Sequence, residues 1–228
     1  MAVSNVGTRM YYPFNNGPTL KDDLSCNGYT LTATTPVPIP SGVVDGRFCI
    51  GPFASGCSYN RNITAGIFPE TLPNLTISFD FYAYDIDIPR IYPFLMKDTT
   101  LLRIVAIQFD PARAITVQSS SPAKTVDGVF QLNRWYNLLI SIQTSGATNV
   151  YLDNNLIKTF TNNHGYDYIP RRYYIGATDS AAQNMQFSGC IANFKLLDYI
   201  VESNYTQSNI VGGLWNVKNF IISYYNEY

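Results

Sequence analysis

Residues able to carry out acid, base or nucleophilic chemistry are scarce in this chain. Glutamate stands only at Glu70, Glu202 and Glu227, and the sole histidine is His164. That histidine lies in the turn-rich stretch Asn162-Asn-His-Gly-Tyr-Asp167, without the partners at fixed spacing that zinc or triad chemistry needs. No G-x-S-x-G elbow occurs, and no glycine-rich loop leads into a helical pattern. Charge is thin as well. Charged residues make up 14% of the 228, against about 25% in an average domain, and the deficit is filled by Tyr, Asn, Thr and Ser. Such a surface recognises by hydrogen bonding and stacking more than by charge. The net charge is −1 and the largest basic cluster is the pair Arg171-Arg172, which excludes a binder that neutralises a nucleic-acid backbone. No apolar run approaches the ~20 residues of a membrane-spanning helix. Met1 to Met10 lacks a charged segment followed by an apolar one, so no signal peptide is read there. The cysteines Cys26, Cys49, Cys57 and Cys190 are too few for a disulfide-framed scaffold and lack paired C-x-x-C spacing. Cys49 and Cys57 flank a short loop that a disulfide between them would close.

What is present is alternation. From Trp135 to Gln143, Tyr136, Leu138, Ile140 and Ile142 fall on one face, with Asn137, Ser141 and Gln143 on the other. That is the period of a strand with a dry and a wet side. Asn149 to Phe160 reads as a hairpin turning at Asn154-Asn155, because Asn tolerates the positive φ of a type I′ turn. In the strand from Thr76 to Tyr84, Ile77, Phe79, Phe81 and Ala83 alternate with Ser78, Asp80, Tyr82 and Tyr84. Ile86 and Ile88 then take the opposite parity, so a bulge or bend is expected near Tyr84-Asp85. Further strands are read around residues 9–16 (restricted by Pro13 to an edge or a strand end), Arg47–Ile50, Leu101–Phe109 and Ala114–Gln118, with 33–42 and 119–128 as loops. Cys190 is expected on one strand face with Ala192, Phe194 and Leu196, as a buried thiol. Many short strands at intervals of roughly ten residues specify an all-β sandwich or barrel.

In order along the chain, Tyr12-Pro-Phe-Asn-Asn16, Asp23-Leu-Ser-Cys-Asn-Gly28, Gly46-Arg-Phe48 and Leu75-Thr-Ile-Ser-Phe-Asp80 are followed by Leu132-Asn-Arg-Trp-Tyr136, Val150-Tyr-Leu-Asp153, Ile175-Gly176 and Phe187-Ser-Gly-Cys-Ile191. This series resembles a laminin G-like domain of the concanavalin A-like superfamily. The resemblance implies two antiparallel sheets packed as a jelly-roll β-sandwich over residues 1–205, and relatives that bind glycans or proteins. Residues 206–228 extend beyond it, rich in aromatics and poor in charge. Trp215, Phe220, Tyr224 and Tyr225 are expected to dock there on the domain or on a neighbouring subunit. Some superfamily members are glucanases that carry Glu-x-Asp-x-x-Glu on one strand. The nearest segment here, Tyr84-Asp-Ile-Asp-Ile88, has Asp85 and Asp87 on one face and neither glutamate, so no catalytic activity is expected. Other relatives hold Ca²⁺ in loops, and Asp98, Asp110, Asp127 and Asp179 lie in or beside loops without a D-x-D-x-D-G run, which leaves a metal undecided and no other cofactor implied.

The ligand-binding candidates are aromatic platforms with polar neighbours: Tyr82 and Tyr84 beside Asp85 and Asp87, and Tyr166 and Tyr168 beside Asn162, Asn163 and Asp167. The role expected is non-enzymatic recognition and assembly on an extracellular or virion surface, as a viral or phage structural protein that is homo-oligomeric or part of a larger particle. The alternative is a carbohydrate-binding lectin or adhesin module of a secreted or cell-surface protein. The partners are glycans or protein subunits, with no nucleic acid and no membrane insertion.

Overall fold

The computed structural model describes residues 8–14, 21–25, 29–33, 41–53, 58–62, 74–87, 91–97, 103–118, 123–143, 146–161, 172–176 and 186–201. Within them lie strands β1 (Thr8–Tyr12), β2 (Thr32–Ala33), β3 (Ser41–Val44), β4 (Arg47–Ile50), β5 (Tyr59–Asn62), β6 (Asn74–Ala83), β7 (Ile91–Lys97) and β8 (Arg103–Phe109). They continue with β9 (Ile115–Gln118), β10 (Lys124–Val126), β11 (Trp135–Gln143), β12 (Ala147–Leu152), β13 (Asn155–Thr161), β14 (Arg172–Ile175) and β15 (Gly189–Leu197). No helix occurs among the described residues, and so none long and apolar enough to cross a membrane.

The strands form two antiparallel sheets. The first runs β13-β12-β11-β6-β15-β4-β3, with β1 also paired to β15; the second runs β10-β9-β8-β7-β14-β5-β2. The inward faces supply one core. Ile77, Phe79, Phe81 and Ala83 of β6 and Leu138, Ile140 and Ile142 of β11 meet Phe94 and Met96 of β7, Ile107 and Phe109 of β8 and Ile175 of β14. Aromatic pairs tie sheet to sheet: Phe81 meets Phe109 with ring centroids 4.7 Å apart, and Phe194 meets Phe94 at 5.3 Å. Each such buried ring is worth roughly 1.5–3 kcal/mol, which is why alternation of this kind commits the chain to a sandwich.

The phase slip after β6 has a structural counterpart. The N–H groups of both Tyr84 and Asp85 are directed at the carbonyl of Ser188, at 2.9 and 3.5 Å, so two residues face one and the parity shifts. Three other readings need correction. The β12–β13 turn is Asp153-Asn154, not Asn154-Asn155: Leu152 pairs with Asn155, and φ is 49° and 66° at the two turn residues. Asp153 is drawn into the turn because its carboxylate accepts the Asn137 N–H at 2.9 Å while its own N–H donates to the Asn137 carbonyl. Cys190 and Ala192 do not share a face with Phe194 and Leu196. Asn193 takes a left-handed φ of 49° and the register with β6 jumps between Ala192 and Lys195, so the first pair faces outward and the second enters the core. Third, Lys124–Val126, inside the stretch read as a loop, is a short strand on the rim of the second sheet, paired to β9.

The wet side of β11 is also drier than its sequence suggests. Ser141 is buried, and Leu139 packs with Tyr151, Leu197 and Val201 on the outer face. The Thr76 hydroxyl fixes the chain there, donating to the Tyr199 carbonyl at 2.6 Å and accepting the Val201 N–H at 3.2 Å.

Candidate functional site

At one end of the first sheet the outward side chains assemble a polar and aromatic strip. Cross-strand register builds it in two rows. Cys190, Tyr82 and Trp135 stand side by side on β15, β6 and β11, and in the next row Ala192, Asp80 and Asn137 do the same. Two tight hairpin turns flank the strip. Asp45-Gly46, with φ of 47° and 75°, joins β3 to β4, and Asp153-Asn154 joins β12 to β13. Both have the positive φ pair of type I′ turns, whose twist matches that of the strands they join.

Asp80 is the hub, and its side chain is fully buried. It accepts hydrogen bonds from the Asn137 amide at 2.8 Å and from the Asn193 amide at 2.7 Å, and Arg47 pairs with it at 2.8 Å. Arg47 reaches it from β4 across β15, where the small Ala192 lies opposite Asp80 and leaves room. The guanidinium then lies over the Trp135 ring, 4.9 Å from its centroid, and the indole N–H donates to the Val44 carbonyl at 2.9 Å. A buried carboxylate survives only when its hydrogen-bonding capacity is met, and here its partners come from three different strands. Between Arg47, Trp135 and the Asp153 turn lies a recess of about 160 Å³, lined also by Asp80, Tyr136, Asn137 and Asn154. Arg134 approaches Asp153 at 3.7 Å on its outer rim.

Of the expected ligand-binding residues, Tyr82 and Tyr84 lie in this strip, edge to face at 5.3 Å, with Trp135 at 5.5 Å from Tyr82. Burial first, and then the charge of nearby Asp45, raise the Tyr82 phenol. Asp85 and Asp87 share an exposed face, as read, and interaction with Asp85 raises the Asp87 carboxyl above its usual range. They open onto a second recess of about 260 Å³ with Phe53, Ile91, Gln186 and Ser188. The candidates Asn162, Asn163, Tyr166, Asp167 and Tyr168, and the extension with Trp215, Phe220, Tyr224 and Tyr225, lie outside the described residues. Among the described residues no three His, Cys, Asp or Glu side chains converge as a metal site. Of the loop aspartates, Asp110 accepts the Ala114 N–H at 3.1 Å. Sequence reading missed Arg47, Asp80, Asn137, Asp153 and Asn193. The available signal was a charged residue, Asp80, in the middle of a strand otherwise rich in apolar and hydroxyl side chains.

Burial pushes the phenols of Tyr11, Tyr59, Tyr82 and Tyr84 above the ordinary value of 10.0, with Asp80 adding to the effect on Tyr11 and hydrogen bonding to Cys190 adding on Tyr84. A phenol whose folded pKa is raised holds its proton more tightly when folded. Its contribution is therefore complete below about pH 10 and is lost as pH rises through the folded value. The melting temperature should fall above about pH 10, with phenolate absorbance from these residues appearing together with unfolding. A melting temperature that stays flat to about pH 11.5 would refute this.

The fold has relatives among solved structures. The binding domain of botulinum neurotoxin DC in complex with rat synaptotagmin II superposes with a TM-score of 0.61 at 11% identity, over 88% of this chain and 50% of that one. Trypanosoma rangeli sialidase in complex with sialic acid gives 0.65 at 12% identity, over 86% of this chain and 31% of that one. Domain 4 of AbnA, a GH43 extracellular arabinanase from Geobacillus stearothermophilus, in complex with arabinotriose, gives 0.61 at 15% identity, over 87% of this chain and 95% of that one. The chain thus spans half or less of the toxin and sialidase chains, and nearly all of the arabinanase domain. No protein-family profile and no curated sequence matches it. At these identities the likeness defines the class of fold, a two-sheet β-sandwich.

Proposed function

We propose that this chain is a non-catalytic carbohydrate-binding domain of the concanavalin A-like, laminin G-like type, displayed outside the cell or on a particle surface. The saccharide lies along the strip from Tyr84 past Trp135 into the recess between Arg47 and Asp153. The observation that carries this reading is the Asp80 hub. It fixes a guanidinium against an indole beside a recess edged by a carboxylate and two amides. Sugars offer C–H faces for aromatic side chains and hydroxyls for such groups, and a site held rigid before binding loses less on association. Saccharides also occupy structures of this fold: the arabinanase domain was captured with arabinotriose, and one neurotoxin relative is described as depending for cell entry on two ganglioside molecules. Asp85 and Asp87 lack the two glutamates that accompany such an aspartate in the Glu-x-Asp-x-x-Glu strand of glucanases. A second reading, a viral or phage structural subunit attached through residues 206–228, rests on the aromatic sequence of that segment.

Calorimetric titration and a broad glycan array test the first reading. At least one oligosaccharide should bind, and Trp135→Ala and Arg47→Ala should each weaken it ~10-fold or more, about 1.4 kcal/mol, while circular dichroism remains that of the parent. An empty array, or binding indifferent to both substitutions, would remove the strip as the site.

A further inference from the structure

We propose that Cys49 and Cys190 form a reversible cross-strand disulfide that locks the β3–β4 hairpin, and Arg47 with it, onto the first sheet. The two are free, buried thiols in one cluster with Tyr82 and Ala192, under Val44, Tyr84 and Trp135. They sit on adjacent antiparallel strands. Ile50 is registered with Ile191, so Cys49 and Cys190 project from the same outward face one step to either side of that pair. The Cys49 thiol donates to the Gly42 carbonyl at 3.8 Å, and the Tyr84 hydroxyl lies 3.3 Å from Cys190 Sγ. Interactions with Cys49 and Tyr84 hold the Cys190 thiol down to about 7, while interaction with Cys190, together with burial, pushes Cys49 up. Cys190, whose sulfur the Tyr84 hydroxyl contacts, attacks as thiolate and Cys49 resolves.

The hairpin is where a staple has most to hold. β4 meets β15 through the single registered pair Ile191–Ile50, and β3 has β4 as its neighbour in the sheet. Local opening of so thinly laddered an element exposes both thiols. The oxidant is a small disulfide of the glutathione type. The Cys190 thiolate attacks one of its sulfurs, breaks the S–S bond and releases one glutathione thiolate, giving a mixed disulfide. Cys49 loses its proton to solvent, and its sulfur displaces the second glutathione from Cys190. The protein gives up two electrons and two protons, and glutathione disulfide becomes two glutathione molecules. The oxidised hairpin can no longer lift Arg47 and Asp45 away from Asp80, Trp135 and Tyr82. This inference does not depend on what the strip binds.

The test uses the full chain carrying Cys26→Ser and Cys57→Ser, equilibrated with oxidised glutathione and then with dithiothreitol. Oxidation should remove both remaining thiols and give a peptide joining Cys49 to Cys190 within one molecule. It should raise the melting temperature by several degrees and slow amide exchange across 41–50 about tenfold or more, all reversed on reduction. Thiols that persist, a crosslink between molecules, or a crosslink without slower exchange would each overturn it. The native chain is mapped in parallel, and decides if the double variant does not fold. A Cys49–Cys190 peptide there upholds the proposal, and any other partner for Cys49 defeats it.

Discussion

Asp80→Ala should destabilise the fold by about 3–5 kcal/mol, the range for removing one member of a buried charge network. The aspartate is fully buried, and its loss strands the Asn137 and Asn193 amides along with one face of Arg47. Little of the effect should come from the ion pair as such, because the Arg47 side chain is 39% exposed and solvent screens it. Arg47→Ala is therefore expected to cost well under half as much. Urea unfolding followed by fluorescence separates the two; equal losses would show that the pair, not the amide network, holds the site together. Asp80→Asn should fall between them, since it keeps the shape of the side chain while facing amide donors with an amide.

Phe81→Ala is the second large effect, also about 3–5 kcal/mol, and roughly 10 °C in melting temperature. Its ring has no exposure and touches Phe109 at 4.7 Å, Phe130 at 5.3 Å and Tyr136 at 5.5 Å, so the void opens where both sheets meet. The surrounding rings are held by strands and cannot collapse into it. Phe81→Leu should recover more than half of the loss. Thermal unfolding of both variants checks this, and an alanine variant within about 1 kcal/mol of the parent would contradict the packing described.

Strand positions were legible because alternation is written directly into β6 and β11, where Phe79 and Leu138 point inward and Asp80 and Asn137 outward. The phase slip at Tyr84-Asp85 was legible for the same reason. The slip at Asn193 was not: Cys190, Ala192, Phe194 and Leu196 are all apolar, so both registers look equally good until the left-handed φ at Asn193 is known. The turn at Asp153 was missed because its conformation depends on a long-range partner, Asn137. The same alternation in β6 puts Tyr82 and Tyr84 on the face opposite Phe79 and Phe81, where the structure has them. Arg47 was not legible, since it reaches Trp135 only because β4 joins the sheet beyond β15, and that neighbourhood is a property of topology.

The bulge in β15 works as a splice between two vocabularies. Ahead of it, the outward positions Cys190 and Ala192 answer to the strip: one carries a sulfur, the other must stay small beneath a guanidinium. Behind it, the alternate positions Phe194 and Leu196 answer only to packing. One continuous strand is thus divided into a half that shapes the outer surface and a half that fills the core, with Asn193 bonded to Asp80 at the seam. Substitutions ahead of the bulge can change the outer surface while the core is left unchanged, and a single-residue deletion at the seam would scramble both at once.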